Sequence, residues 1–161
     1  MHGTPRRSAL AGALSVALAL PVPSAAQVRA PWFGTWKLNL EKSTYNPGPA
    51  PFRRGTCTIE LWEDGSTGLK DGVKVTYDLV RARGGITHFE WVGRFDGRDY
   101  GLQGVEDYAV TVAYRRIDER TFQVVQKADG GAVVAATLTI SLDGRTLTMI
   151  SSGSTVLYDK Q

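Results

Sequence analysis

"GTWKLNLEKSTYNPGPAP" runs from Gly34 to Pro51 and changes character halfway. In its first half apolar and polar residues alternate, so that Trp36, Leu38 and Leu40 share a side opposite Thr35, Lys37 and Asn39. That period of two predicts a β-strand with one buried face. Its second half has no period at all. Pro47, Pro49 and Pro51 each fix their own φ and push the residue before them toward extended geometry, which excludes a helix there. A strand that delivers a tryptophan and then a stiff loop, Glu41 to Gly55, suggests a sheet with an end to be crossed. The expectation is that the loop lies over one end of a barrel; the alternative is an outward loop that merely connects two strands.

The remainder of the chain supports this. Eight further β-like runs follow, at 56–63, 73–80, 86–95, 108–116, 121–127, 132–142, 146–152 and 155–160. Val, Ile, Thr, Tyr, Phe and Trp crowd them, as a pleated, half-buried surface favours. Asp-Gly pairs at Asp64-Gly65, Asp71-Gly72, Asp96-Gly97, Asp129-Gly130 and Asp143-Gly144, with Gly84-Gly85, read as hairpin turns, because Asp and Gly tolerate positive φ. Within the runs, Cys57/Ile59/Leu61, Val73/Val75/Tyr77/Leu79, Tyr108/Val110/Val112/Tyr114, Phe122/Val124, Leu138/Ile140/Leu142 and Leu147/Met149 each share a face. Strands with one apolar face, joined by tight turns, predict an all-β, single up-and-down antiparallel β-barrel of about 8–10 strands.

On this pattern "FGTWKLN" (33–39) resembles the G-x-W signature of the calycins, the lipocalins and fatty-acid-binding proteins. "TVLYDK" (155–160) is similar to the closing strand of a fatty-acid-binding protein. The whole mature chain also resembles a set of small secreted bacterial proteins with lipocalin-like barrels and no established activity. The resemblance implies that Trp36 is a plug inside the barrel near its closed end, with Gly34 allowing close backbone approach. Two departures stand beside it. The prolines replace the helical lid of fatty-acid-binding proteins, and Val156 stands where their carboxylate clamp has an arginine, two residues before the matching Tyr158.

The first 26 residues read differently from the rest. Arg6 and Arg7 precede an uncharged run, Ser8 to Leu20, and Ser24 and Ala26 form a small-x-small cleavage site before Gln27. This is the pattern of a secretory signal peptide. The run falls short of the about 20 residues that span a bilayer. An uncleaved anchor is the alternative, and a twin-arginine signal fits the residues around Arg6 poorly. The expected mature chain, residues 27–161, is one barrel domain, secreted or periplasmic, with no integral membrane segment. It carries 17 basic and 16 acidic residues. That balance, and the scatter of the cations, argue against a nucleic-acid partner. Cys57 is the only cysteine, so no intrachain disulfide is expected and packing must supply the stability.

Chemistry-bearing groups are few. His88, Glu90 and Arg94 share one face of the run 86–95, opposite Phe89, Trp91 and Phe95. If the aromatic face looks inward, the polar row is solvated; if the polar row looks inward, the barrel holds a His-Glu-Arg group. Cys57 shares a face with Ile59 and Leu61 and reads as an inert buried residue, a pairing with His88 remaining open. Asp96, Asp99, Glu106 and Asp107 do not match a calcium loop. No catalytic, phosphate-binding or zinc motif is found, and no metal or cofactor is expected. The leading expectation is non-catalytic binding of a small hydrophobic or amphipathic molecule by a monomer. Tyr45, Phe52, Tyr77, Tyr108, Tyr114 and Tyr158 are the candidate ligand-binding residues, with Trp91 a further possible lining aromatic. The alternative is a filled barrel acting on a protein or the cell envelope through its outer surface. A third reading is a barrel enzyme with His88 as base.

Overall fold

The computed structural model describes residues 30–64, 69–104 and 110–161. The expected signal peptide, the Asp64-Gly65 turn at its glycine, Glu106, Asp107 and the candidate Tyr108 lie outside the described residues. Ten strands make one closed barrel: β1 (Gly34–Thr44), β2 (Phe52–Asp64), β3 (Leu69–Arg81), β4 (Ile86–Gly93), β5 (Tyr100–Gln103), β6 (Val110–Arg116), β7 (Thr121–Ala128), β8 (Gly131–Ile140), β9 (Thr146–Ser151) and β10 (Ser154–Lys160). Each pairs antiparallel with its neighbours in sequence, and β10 returns to β1 to close the ring. The architecture is the up-and-down barrel that the alternation predicts.

Turn chemistry explains the meander. Asp129 (φ 49°) and Gly130 (φ 78°) both take positive φ between β7 and β8, as a two-residue hairpin of this hand requires. Ser152 (φ 47°) and Gly153 (φ 82°) do the same between β9 and β10. Asp71-Gly72 corrects the expectation of a turn. It sits inside β3, where Gly72 pairs with Trp62 and the β2–β3 register slips, so Asp71 (φ 59°) marks a bulge. β5 was not among the expected runs. It is four residues long and pairs through two residues on each side, so neighbouring strands rather than its own composition hold it extended. β2 begins at Phe52, which shortens the proline loop to 45–51.

The apolar face of every long strand turns inward. Trp36, Leu38, Cys57, Ile59, Val75, Trp91, Val112, Tyr114, Phe122, Leu138, Ile140, Leu147, Val156 and Tyr158 are buried in one core. The charged residues Lys37, Glu60, Lys74, Asp78, His88 and Glu90 alternate with them and face outward. Trp91 is 1 % exposed while His88 is exposed, so the aromatic face of β4 is the inner one and its polar row is solvated. Among the described residues no helix is long and apolar enough to cross a membrane. Leu61 is an exception to its alternation: at the end of β2, beyond the packed interior, it is 56 % exposed.

Candidate functional site

Aromatic rings fill the end of the barrel where β1 begins. Trp36 is fully buried, and its indole N–H donates to the Trp32 carbonyl at 3.0 Å. Gly34, at φ 134°, adopts a conformation that disfavours side chains, and a Cβ there would stand 3.0 Å from the Lys160 chain. The Lys160 ammonium lies 4.9 Å over the Trp36 ring, and the Arg116 guanidinium 4.6 Å over Trp32. Deeper in, Phe122 packs edge-on against Trp32 at 5.3 Å and, tilted, against Phe95 at 4.7 Å. Trp91 meets Tyr114 at 4.6 Å. Gly93 makes room for this layer, since a Cβ there would come within 2.5 Å of the Trp91 ring. Trp32 was not singled out from sequence. It precedes the first periodic run, and only the folded chain brings its carbonyl to the Trp36 indole and its ring to Phe122.

An enclosed space of about 10 Å³ lies among the described core residues, lined by Trp32, Tyr77, Phe95, Tyr114, Phe122, Leu138 and other core aliphatics. That is about the room a single water needs, against roughly 300–1,000 Å³ for a small-molecule pocket. Of the candidate ligand-binding residues, Tyr77 and Tyr114 line this space. Tyr158 is buried elsewhere in the core, paired with Leu38 and Leu147. Tyr45 and Phe52 are half-buried at the opposite end, where they flank the proline loop and pack on the core, and neither borders the cavity.

Among the described residues, the Tyr77 phenol lies beside the Cys57 thiol and the Tyr114 phenol in the interior. Burial, with no cation beside it, pushes Cys57 up to about 12. Burial likewise raises Tyr77, Tyr114 and Tyr158. These groups stay protonated at neutral pH, and the thiol is the opposite of an activated nucleophile. His88 lies outside the barrel, far in role from Cys57. Its Nδ1 is 2.7 Å from Asp78 and its Nε2 3.4 Å from Glu90, while Glu90 is 2.7 Å from Lys74. The Asp78 hydrogen bond raises the imidazole above its ordinary value, and the Lys74 hydrogen bond lowers Glu90. With a carboxylate at each ring nitrogen, His88 is an ion-pair member on a surface ladder. Among the described residues no group of three His, Cys, Asp or Glu side chains could hold a metal.

Among the described residues, larger concavities lie on the outside. One, of about 480 Å³, opens between β1 and β2 and is lined by Lys37 to Glu41, Arg53, Arg54, Asp159 and Gln161. Here β1 and β2 pair only from Gly34–Lys37 to Thr56–Ile59 and then separate. Neither Arg53 nor Arg54 stands out along the chain, because a parting of two strands leaves no local signal. Comparison of the chain with family models, with curated proteins and with solved structures gives no match.

Proposed function

We propose that this protein is an exported, filled β-barrel that acts through its outer surface as an interaction module, without a small molecule inside. The observation that carries the reading is the cavity of only about 10 Å³ among the described aromatic residues of the core. A drug- or lipid-sized ligand needs tens of times more. Of the functions expected from sequence, the one built on a filled barrel fits this volume, whereas a small apolar ligand would have to displace Phe122 or Trp32 from a packed aromatic layer. Export rests on the Arg6-Arg7, apolar-run and Ser24-x-Ala26 pattern. Kinship with the calycins belongs to the same proposal: it is supported by a closed antiparallel barrel whose G-x-W tryptophan is buried beside the first and last strands.

Native mass spectrometry of the protein purified from its own host tests the reading. The expected spectrum shows the polypeptide beginning near Gln27 with no adduct. A stoichiometric small-molecule adduct that is lost on unfolding would overturn it.

A further inference from the structure

We infer that the parted seam between β1 and β2 is a docking groove for an extended, acidic segment of a partner protein, which adds to the barrel as a strand. The inference rests on the outer-surface reading above and names the surface and the chemistry of its partner.

Three observations carry it. The first is an open backbone edge within a closed barrel. Past Lys37 and Thr56 no pairing joins the two strands, so the stretch from Leu38 onward and Phe52–Gly55 each lack a ladder partner across the seam. An edge of this kind is a template for another strand.

The second is that the parting is held from both sides. On β1, Leu40 to Ser43 stand opposite Val156 alone, between the pairs Asn39–Leu157 and Thr44–Thr155. Ser43 turns its hydroxyl to accept the Leu157 N–H at 2.9 Å, so β10 keeps its bond while β1 bends away. On β2, Phe52 pairs with Arg81 and Arg54 with Val80, which makes Arg53 the extra residue of a bulge. Bulges re-aim side chains and end pairing.

The third is charge. The side chains of Lys37, Arg53 and Arg54 are exposed and have no hydrogen-bond or ion-pair partner among the described residues. Asp159, in the same groove, is already engaged by Asn39 and, at 3.4 Å, by Lys42. Glu41 is the one acid left without such a partner. The groove therefore offers three unanswered cations against one carboxylate, beside backbone groups that ask for a strand. Charge alone would suit any anion; the open edges select a polypeptide.

The test is a fluorescence-anisotropy titration of the full-length mature protein with a short labelled peptide that alternates Glu and Val. Controls are the same peptide with Lys for Glu, with N-methylated backbone on alternate residues, and inorganic polyphosphate. The acidic peptide should bind, and Arg53→Glu with Arg54→Glu should weaken it at least about tenfold, with an unchanged circular dichroism spectrum. N-methylation should weaken it comparably while leaving its charge intact. Amide exchange should slow on binding across Leu38–Glu41 and Arg53–Gly55. Equal binding of the N-methylated peptide, equal binding by the double variant, or competition by polyphosphate at matched charge would overturn strand addition. No binding of the acidic peptide overturns the seam assignment alone. The filled-barrel reading fails separately, on a ligand adduct in the mass spectrum.

Discussion

Replacing Trp36 by alanine tests the packing of the core. Its side chain is fully buried against Trp32, and its N–H satisfies the Trp32 carbonyl at 3.0 Å. Truncating a large buried aromatic costs about 3–5 kcal/mol in lost transfer energy and residual cavity. The stranded carbonyl adds about 1 kcal/mol. The expected loss is therefore about 4–6 kcal/mol, a large part of the roughly 5–15 kcal/mol that holds a domain of this size together. Trp36→Phe separates the two contributions: it keeps most of the ring and loses the donor, so about 1–2 kcal/mol should go. The assay is urea unfolding followed by far-ultraviolet circular dichroism, which avoids the overlapping signals of four tryptophans. With a slope of about 2 kcal/mol per molar, the alanine variant should unfold at least about 2 M earlier or not fold at all. A midpoint within about 0.5 M of the parent would refute the argument. So would a phenylalanine variant as unstable as the alanine one, because that would place the whole effect on the hydrogen bond.

Phe122→Ala should open an apolar void among Trp32, Phe95 and Leu138, and the variant should bind benzene by calorimetry where the parent does not; benzene binding by the parent would show a roomier interior. Cys57 should be silent to thiol reagents in the native protein and react only on unfolding. Its folded value is raised from 9.0 to about 12, so the native state holds the proton longer than the unfolded one. That stability is present below about pH 9 and is lost as pH rises toward 12, at about 1.4 kcal/mol per pH unit; Cys57→Ala should delay the onset of alkaline unfolding, and an unchanged onset would remove Cys57 as its cause. His88, raised by Asp78, should titrate in NMR above the ordinary imidazole value, and Asp78→Asn should bring it down. The stabilisation from this pair is present at acid pH and fades as pH rises through the folded value; a His88 titration unmoved by Asp78→Asn would contradict the ion pair.

The alternation of Trp36/Leu38, Cys57/Ile59, Val73/Val75 and Val112/Tyr114 determined which face of each strand is buried, because side chains on a strand switch sides at every residue and one face must leave water. Asp129-Gly130 and Asp143-Gly144 determined where strands reverse, because few residues tolerate positive φ. Strand identity, barrel class and the burial of Trp36 were legible for these local reasons. Three features were decided only in the folded chain. Asp71-Gly72 carries the same residues as a turn, yet the long β2–β3 ladder absorbs it as a bulge. The interior volume depends on how rings from distant strands interlock: Trp32, Phe95 and Phe122 meet only once the barrel closes, and no run of sequence states the sum of their volumes. The β1–β2 seam is likewise invisible along the chain, since its open edge exists only because β1 leaves β2 where Ser43 takes over a bond from β10.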